Sequence, residues 1–168
     1  YPKTRFNTPS TPAANPAEHA AGLLRDALVK KGVRVAGGAR SGSAPPTRTE
    51  LAKVSTKIDD VVLQMLAHSD NTTAELVTKE LGRARGGTGT TAAGVSAARG
   101  ALEASGLPVA GVAVVDGSGL DRSDKLTCEC LVALLDRAGP TSIIATSLPI
   151  GGKSGTLIDR FIGSPATA

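Results

Sequence analysis

A short polar junction, Ser69-Asp70-Asn71, separates two segments that have the apolar spacing of helices. The first segment covers residues 58–67 and the second covers residues 73–81. Polar residues between two helices most often act as caps, because Asp70 or Asn71 can accept hydrogen bonds from backbone N–H groups that a helix leaves unpaired. The junction therefore predicts two consecutive helices, and its surroundings must decide whether it does more than cap them.

Glycine and proline residues divide the rest of the chain into short elements. In the helix after the junction, Thr72 or Thr73 is the expected cap and Gly82 the expected end. Further helices are predicted over residues 16–31, 91–105 and 124–138, strands over residues 33–36, 49–54 and 109–115, and an extended connector over residues 1–15.

This order mixes helices and strands without regular alternation. It disfavours a doubly wound nucleotide-binding fold, and we expect an α/β layered domain with helices packed on a sheet. The 168 residues suit one domain. Because only 2% of them are aromatic, the core is expected to be aliphatic, with few large side chains and modest stability.

The charges of the chain are unevenly distributed. Residues 1–57 carry ten Lys or Arg against three Asp or Glu, whereas residues 58–168 carry nine against twelve. A basic segment can favour anionic polymers. No aromatic side chains interleave with these charges as a stacking surface would require, so the interpretation adopted is a solvated surface without nucleic acid.

The sequence indicates no membrane span, because no apolar run reaches 18 residues. Residues 1–6 have neither an initiating methionine nor the apolar core of a signal peptide. The chain is therefore expected to start in mid-protein, and a secretion signal could precede it.

Cys128 and Cys130 are the only cysteines of the chain. Two positions apart on a helix, they point to nearly opposite faces and are poorly placed to bond to each other. Pairing with a cysteine outside the chain and buried free thiols both remain open. His19 and His68 complete no ligand spacing, so no metal is expected.

Residues 65–76, Met-Leu-Ala-His-Ser-Asp-Asn-Thr-Thr-Ala-Glu-Leu, resemble the helix, Ser-Asp-Asn and Ala-Glu pattern of the D-alanyl-D-alanine carboxypeptidases of the peptidase S13 type. These are low-molecular-mass penicillin-binding proteins with large inserted domains. Residues 15–16 with the alanine-rich helix after them, the strand-like residues 31–37 and the Asp-Gly-Ser-Gly-Leu turn at residues 116–120 resemble the same family in the same order. The resemblance covers most of residues 15–168.

The resemblance implies that residues 16–168 are a portion of a single penicillin-binding, transpeptidase-like domain of the β-lactamase type, with helices packed on a mainly antiparallel sheet. Active sites of this class combine a Ser-x-x-Lys nucleophile, a Ser-x-Asn element and a Lys-Thr/Ser-Gly strand. Ser69 and Asn71 would form the middle element as catalytic residues. No serine of the chain has lysine three residues later, so the chain alone is expected to be inactive.

The tripeptide Lys153-Ser154-Gly155 reads like the third motif, but its flanks argue against that role. Residues 148–166 resemble the Leu-Pro-x-Ala-Gly-x-x-Gly-Thr-Leu segment that, in this family, ends in Gly-Thr/Ser-Pro-Ala just before the true strand. The tripeptide is therefore interpreted as a decoy, and the true motif is expected beyond Ala168.

The resemblance also implies a mechanism and a compartment. The missing serine would attack the penultimate D-alanine carbonyl of a peptidoglycan stem peptide, and β-lactams would acylate the same serine. Ser69 would relay a proton, Asn71 would hydrogen-bond the substrate backbone, and Asp70 would serve the structure. No metal or organic cofactor is required, and the protein would be secreted, periplasmic or associated with the cell wall.

Two other functions remain open from the sequence. The chain could belong to a non-catalytic cell-wall binding or scaffolding module with a degenerate penicillin-binding fold, which would lack the nucleophile even in the complete gene. The second is nucleic-acid binding through the basic residues 1–57, which predicts an affinity for DNA that depends steeply on salt concentration. Carboxypeptidase and endopeptidase activity are not distinguished.

Overall fold

The computed structural model describes residues 13–43 and 45–163. It divides into two compact units, Tyr1–Lys53 and Val54–Ala168. The described helices are α1 (Pro16–Lys30), α2 (Ile58–His68), α3 (Asn71–Gly86), α4 (Thr91–Ala104), α5 (Cys128–Ala138), α6 (Ile143–Ser147) and a 3₁₀ turn, Gly155–Leu157.

The first unit contains α1 and the segment that follows it. The side chain of Asn15 accepts a hydrogen bond from the Glu18 N–H at 3.2 Å, which caps the helix as its sequence predicts. Gly32, with φ of 82°, follows the end of the helix. Farther along, Arg25 Nε donates to the Gly37 carbonyl at 3.2 Å, which fastens the following segment to the helix.

The second unit is built on the close packing of α3 against α4. A Cβ atom placed on Gly82 of α3 would lie 2.6 Å from the Gly94 backbone nitrogen of α4. One placed on Gly94 would lie 2.6 Å from the Thr78 carbonyl carbon. Both glycines are buried, so the two backbones approach at distances that no larger residue permits at these positions.

Few side chains of the described residues are fully buried. Cys130 of α5 is 1% exposed, and Ser147 of α6 is 2% exposed. Cys128 is exposed and both thiols are free, so the two cysteines of α5 do not bond to each other. No helix in the described part of the chain has the length and hydropathy needed to cross a lipid bilayer.

The predicted layer of helices on a mainly antiparallel sheet is wrong. Residues 13–43 and 45–163 contain no β-strand, and the one isolated bridge pairs Ala113 with Lys125. Within the described residues, the predicted strand at 33–36 has no partner strand, and in the predicted strand at 49–54 Leu51 and Val54 are each 93% exposed. A strand needs a neighbour for its backbone groups, and these segments have none in the part of the chain that the structure describes.

The apolar run at residues 109–115 shows what replaces strand pairing. The Val112 N–H donates to the Val109 carbonyl at 3.1 Å, in a turn where Gly111 has a φ of 75°. Arg99 Nη1 donates to the Val112 carbonyl at 2.9 Å, and Asp124 accepts from the Val115 N–H at 2.8 Å. Side chains therefore satisfy the backbone groups of Val112 and Val115, and Ala113 exchanges two backbone hydrogen bonds with Lys125.

The helix bounds correct three further predictions. Asp70, and neither Thr72 nor Thr73, caps α3. Gly82 lies inside α3, which continues to Gly86. The helix predicted from residue 124 begins at residue 128.

The extended connector predicted for residues 1–15 lies largely outside the described residues. A single domain over residues 16–168 stays a prediction.

The Gly94 contact predicts opposite effects for two alanine substitutions on α4. Gly94→Ala should lower the free energy of unfolding by about 1–3 kcal/mol, because the new methyl group overlaps the α3 backbone. Gly100→Ala meets no atom within 4 Å and should raise it by about 0.5–1 kcal/mol through helix propensity. Urea unfolding followed by circular dichroism measures both, and equal effects would contradict the close-packing account.

Candidate functional site

The junction between α2 and α3 reverses the chain in a compact helix-ending motif. Ser69 has φ 52° and ψ 50°, in the left-handed region. Its N–H donates to the Leu66 carbonyl at 3.4 Å, and the Asp70 N–H donates to the Met65 carbonyl at 3.0 Å. This pair of bonds is the Schellman pattern, which usually has glycine where Ser69 stands. A non-glycine residue held there marks a position worth a functional test.

Both carboxylate oxygens of Asp70 accept hydrogen bonds from Thr73. Its Oδ1 accepts from the Thr73 N–H at 3.1 Å and its Oδ2 accepts from the Thr73 hydroxyl at 2.8 Å. These bonds, from the backbone first and then the hydroxyl, lower the pKa of Asp70 below its ordinary value of 3.8. Asp70 is therefore an ionised cap of α3.

Ser69 and Asn71 are exposed on either side of Asp70. Their side chains make no hydrogen bond to the described part of the chain, so the Ser69 hydroxyl and the Asn71 amide are both available to a ligand. They line one cleft of about 210 Å³. The other lining residues are Met65, Leu66, Asp70, Ala74, Gly117 and Ser118.

The turn at residues 116–119 also lines the cleft, through Gly117 and Ser118. Gly117 lies against α3, since a Cβ atom there would be 2.6 Å from the Ala74 carbonyl oxygen. Ser118 brings a second hydroxyl to the cleft. The sequence resemblance marks this turn without giving it a place in the site, and the structure brings it to Ser69 and Asn71.

Two carboxylates hold the turn. Asp116 accepts hydrogen bonds from the Gly119 and Asp121 N–H groups, the second at 2.9 Å. Desolvation raises the pKa of Asp116, but the hydrogen bonds from Asp121 and Gly119 outweigh it, and the net pKa is lowered. Glu75 of α3 accepts hydrogen bonds from Ser118 and is the residue that sequence reasoning missed. Its Ala-Glu position next to the junction was the available signal.

The tripeptide Lys153-Ser154-Gly155 has a different geometry from an edge strand. Lys153 lies in a turn, and Gly155 begins the 3₁₀ turn. The Ser154 hydroxyl accepts a hydrogen bond from the Ile150 N–H at 3.0 Å, and Gly155 packs against the Ala67 carbonyl of α2. These residues line none of the cleft that contains Ser69 and Asn71.

The cleft is lined by hydroxyl, amide and carboxylate groups together with the apolar side chains of Met65, Leu66 and Ala74, and its volume is below the 300–1,000 Å³ typical of complete ligand pockets. Within residues 13–43 and 45–163, no three His, Cys, Asp or Glu side chains come together as a metal site requires. The arrangement can donate and accept hydrogen bonds to one part of a larger substrate.

Comparison with known proteins places the chain in a family. The D-Ala-D-Ala carboxypeptidase 3 (S13) family profile matches residues 4–168. A D-alanyl-D-alanine carboxypeptidase of Actinomadura sp. (strain R39) is 33% identical over 98% of this chain and 32% of its own length. A carboxypeptidase of Mycobacterium tuberculosis is 35% identical over 71% of this chain and 27% of its own length. The chain belongs to the D-Ala-D-Ala carboxypeptidase 3 (S13) family, and the resemblance seen in its motifs is confirmed.

A solved structure has a similar fold. It is penicillin binding protein 4 (dacB) from Haemophilus influenzae, complexed with a novel β-lactam, with a TM-score of 0.74 and 22% sequence identity. The match covers 93% of this chain and 38% of that protein. The chain thus spans about a third of the length of each of these proteins.

The capping role of Asp70 predicts a graded loss of stability. Asp70→Ala should lower the free energy of unfolding by about 0.5–2 kcal/mol at neutral pH, because it leaves the α3 N–H groups without a cap. Asp70→Asn should lower it less, since asparagine caps comparably.

The pH dependence gives a further check on the same carboxylate. Because the pKa of folded Asp70 lies below 3.8, its stabilisation is complete above that pH and is lost as the pH falls through the folded pKa. The stability difference between wild type and Asp70→Asn should therefore shrink on acidification. Urea unfolding from pH 7 to about pH 2 measures it, and a constant difference would contradict an ionised cap.

Proposed function

We propose that this chain is part of a serine-type D-Ala-D-Ala carboxypeptidase or endopeptidase of peptidoglycan, and that it supplies the Ser-x-Asn element of the active site. The observation that carries the proposal is the cleft in which the side chains of Ser69 and Asn71 make no hydrogen bond to residues 13–43 or 45–163. Membership of the S13 family and the names of its relatives support the substrate class. The β-lactam bound to the solved relative supports acylation by such compounds.

The nucleophile is contributed by polypeptide other than these 168 residues, because no serine here has a lysine three positions later. That serine loses its proton to its lysine and bonds to the carbonyl carbon of the penultimate D-alanine. The bond to the terminal D-alanine then breaks, and the leaving amine takes up the proton. Water hydrolyses the resulting ester and restores the serine.

Ser69 is suited to carry the proton between the lysine and the leaving amine, since a hydroxyl donates and accepts at once. Asn71 is suited to hold the substrate backbone, because its amide matches a peptide group with one acceptor and two donor hydrogens. Asp70 is unsuited to either task. Its low pKa keeps it ionised at neutral pH, and its oxygens are bound to Thr73.

An apolar groove between α2 and α3 supports the view that further polypeptide packs on this chain. Its volume is about 510 Å³, and Ile58 and Leu76 at its edge are more than half exposed. We propose that the remainder of the same protein covers it, because the relatives are about three times as long as this chain. A peptidoglycan substrate places the assembled enzyme outside the cytoplasm, in the periplasm or the cell wall.

Fluorescent penicillin tests the proposed activity directly. The full-length protein should become covalently labelled, whereas the 168-residue chain should stay unlabelled because it lacks the nucleophile. Gel fluorescence after denaturation measures both. Absence of labelling in the folded full-length protein would refute the enzyme and favour a non-catalytic cell-wall binding module.

Ser69→Ala in the full-length protein tests the proton relay. Removing the hydroxyl should slow acylation by about 10²–10⁴-fold, the range for one general acid–base group. Ser96→Ala is the matched control, since Ser96 is an exposed serine on α4 that lines none of the cleft. Stopped-flow acylation rates measure the effect, and equal rates in the two variants would remove Ser69 from the mechanism.

A further inference from the structure

One carboxylate oxygen of Glu75 joins α3 to the turn at residues 116–119. Glu75 Oε1 accepts three hydrogen bonds, from the Gly117 N–H at 3.0 Å, the Ser118 N–H at 3.0 Å and the Ser118 hydroxyl at 2.8 Å. Hydrogen bonds to a charged acceptor are shorter and stronger than those between neutral groups. These three span 42 or 43 positions of sequence and connect separate elements.

The position of Glu75 on α3 relates it directly to the junction. Asn71 and Glu75 are four residues apart in one helix, so they share a face and are neighbours along it. Glu75 is part-buried and lines none of the cleft, whereas Asn71 and Ser118 both line it. The carboxylate can therefore influence a ligand only through the groups it holds.

The turn is closed by hydrogen bonds within it and is attached to α3 by separate contacts. Asp116 closes it internally through the Gly119 and Asp121 N–H groups. Gly117 brings it into contact with the Ala74 carbonyl without a side chain between. The three bonds to Glu75 then fix its place along α3 and direct the Ser118 hydroxyl toward α3.

We infer that Glu75 is a positioning residue for the active site. By anchoring the turn, it sets the separation between Ser118 and the side chains of Ser69 and Asn71 in the cleft. This inference rests on the proposed function, because the cleft is taken to hold part of the acylating ligand. Loss of the carboxylate leaves two part-buried N–H groups without an acceptor, and the turn must move to satisfy them.

Three substitutions in the full-length protein separate anchoring from simple stability. Glu75→Ala removes the acceptor, and Glu75→Asp keeps the charge but shortens the side chain by one methylene. Glu75→Gln keeps an acceptor oxygen at the same reach. Glu129→Ala is the control, because Glu129 is an exposed glutamate of α5 that lines neither this cleft nor the apolar groove between α2 and α3.

The acylation rate constant and the final labelled fraction with fluorescent penicillin are measured together. Glu75→Ala should slow acylation by about 10–100-fold with little change in the final fraction, as a displaced binding group does. Glu75→Asp should slow it less, while Glu75→Gln and Glu129→Ala should stay within about threefold of wild type. A lower labelled fraction with an unchanged rate would show a purely structural role and overturn the inference.

Hydrogen exchange of the full-length variants keeps the inference testable apart from activity. The amides of Gly117 and Ser118 should exchange at least about tenfold faster in Glu75→Ala and Glu75→Asp, and their exchange should not change in Glu129→Ala. Unchanged exchange in both Glu75 variants would overturn the inference even where labelling occurs. Faster exchange in a full-length protein that penicillin never labels would refute the proposed function and keep the anchoring by Glu75.

Discussion

The backbone of α3 near Thr78 is the part of the second unit on which its neighbours depend. Gly94 of α4 lies against the Thr78 carbonyl, and Gly117 of the turn lies against Thr78 and the Ala74 carbonyl. The Thr78 hydroxyl itself donates to the Ala74 carbonyl at 2.9 Å. In a chain with 2% aromatic residues, direct backbone approach supplies dispersion contacts that large side chains supply elsewhere.

The N-terminal part of α3 links this close packing to the candidate site. Two carboxylates there, Asp70 and Glu75, are both committed to hydrogen bonds with backbone N–H groups and threonine or serine hydroxyls. The first fixes the start of α3, and the second fixes the turn. Whereas these acids serve the structure, the side chains of Ser69 and Asn71 have no hydrogen-bond partner in the described part of the chain.

Helices with local signals were predictable from the sequence. Asn15 caps α1, and residues 58–67 and 91–105 carry helical periodicity that the structure reproduces closely. The prediction that Gly82 ends α3 was wrong because this glycine permits close contact between helices. A single sequence cannot distinguish that use of glycine from a helix end.

Long-range features were harder to predict. The apolar run at 109–115 has the composition of a strand, but strand pairing depends on partners far along the chain. In the structure, the side chains of Arg99 and Asp124 form hydrogen bonds with backbone groups of this run. The junction at Ser69 and Asn71 was found through its motif, and their catalytic roles stay a prediction. The contact of Glu75 with residues more than 40 positions away left no local signal beyond its place beside that motif.

The left-handed backbone of Ser69 restricts which residues can stand at the junction. Threonine keeps a hydroxyl, but its β-branched side chain strongly resists a positive φ. Glycine and asparagine accept the backbone, but they bring no hydroxyl to the cleft. Replacing Ser69 with threonine therefore conserves the chemistry of the side chain but is unfavourable for the backbone conformation. Serine combines a small unbranched side chain with the hydroxyl. Few other residues could satisfy both the positive φ and the need for a hydroxyl at this position.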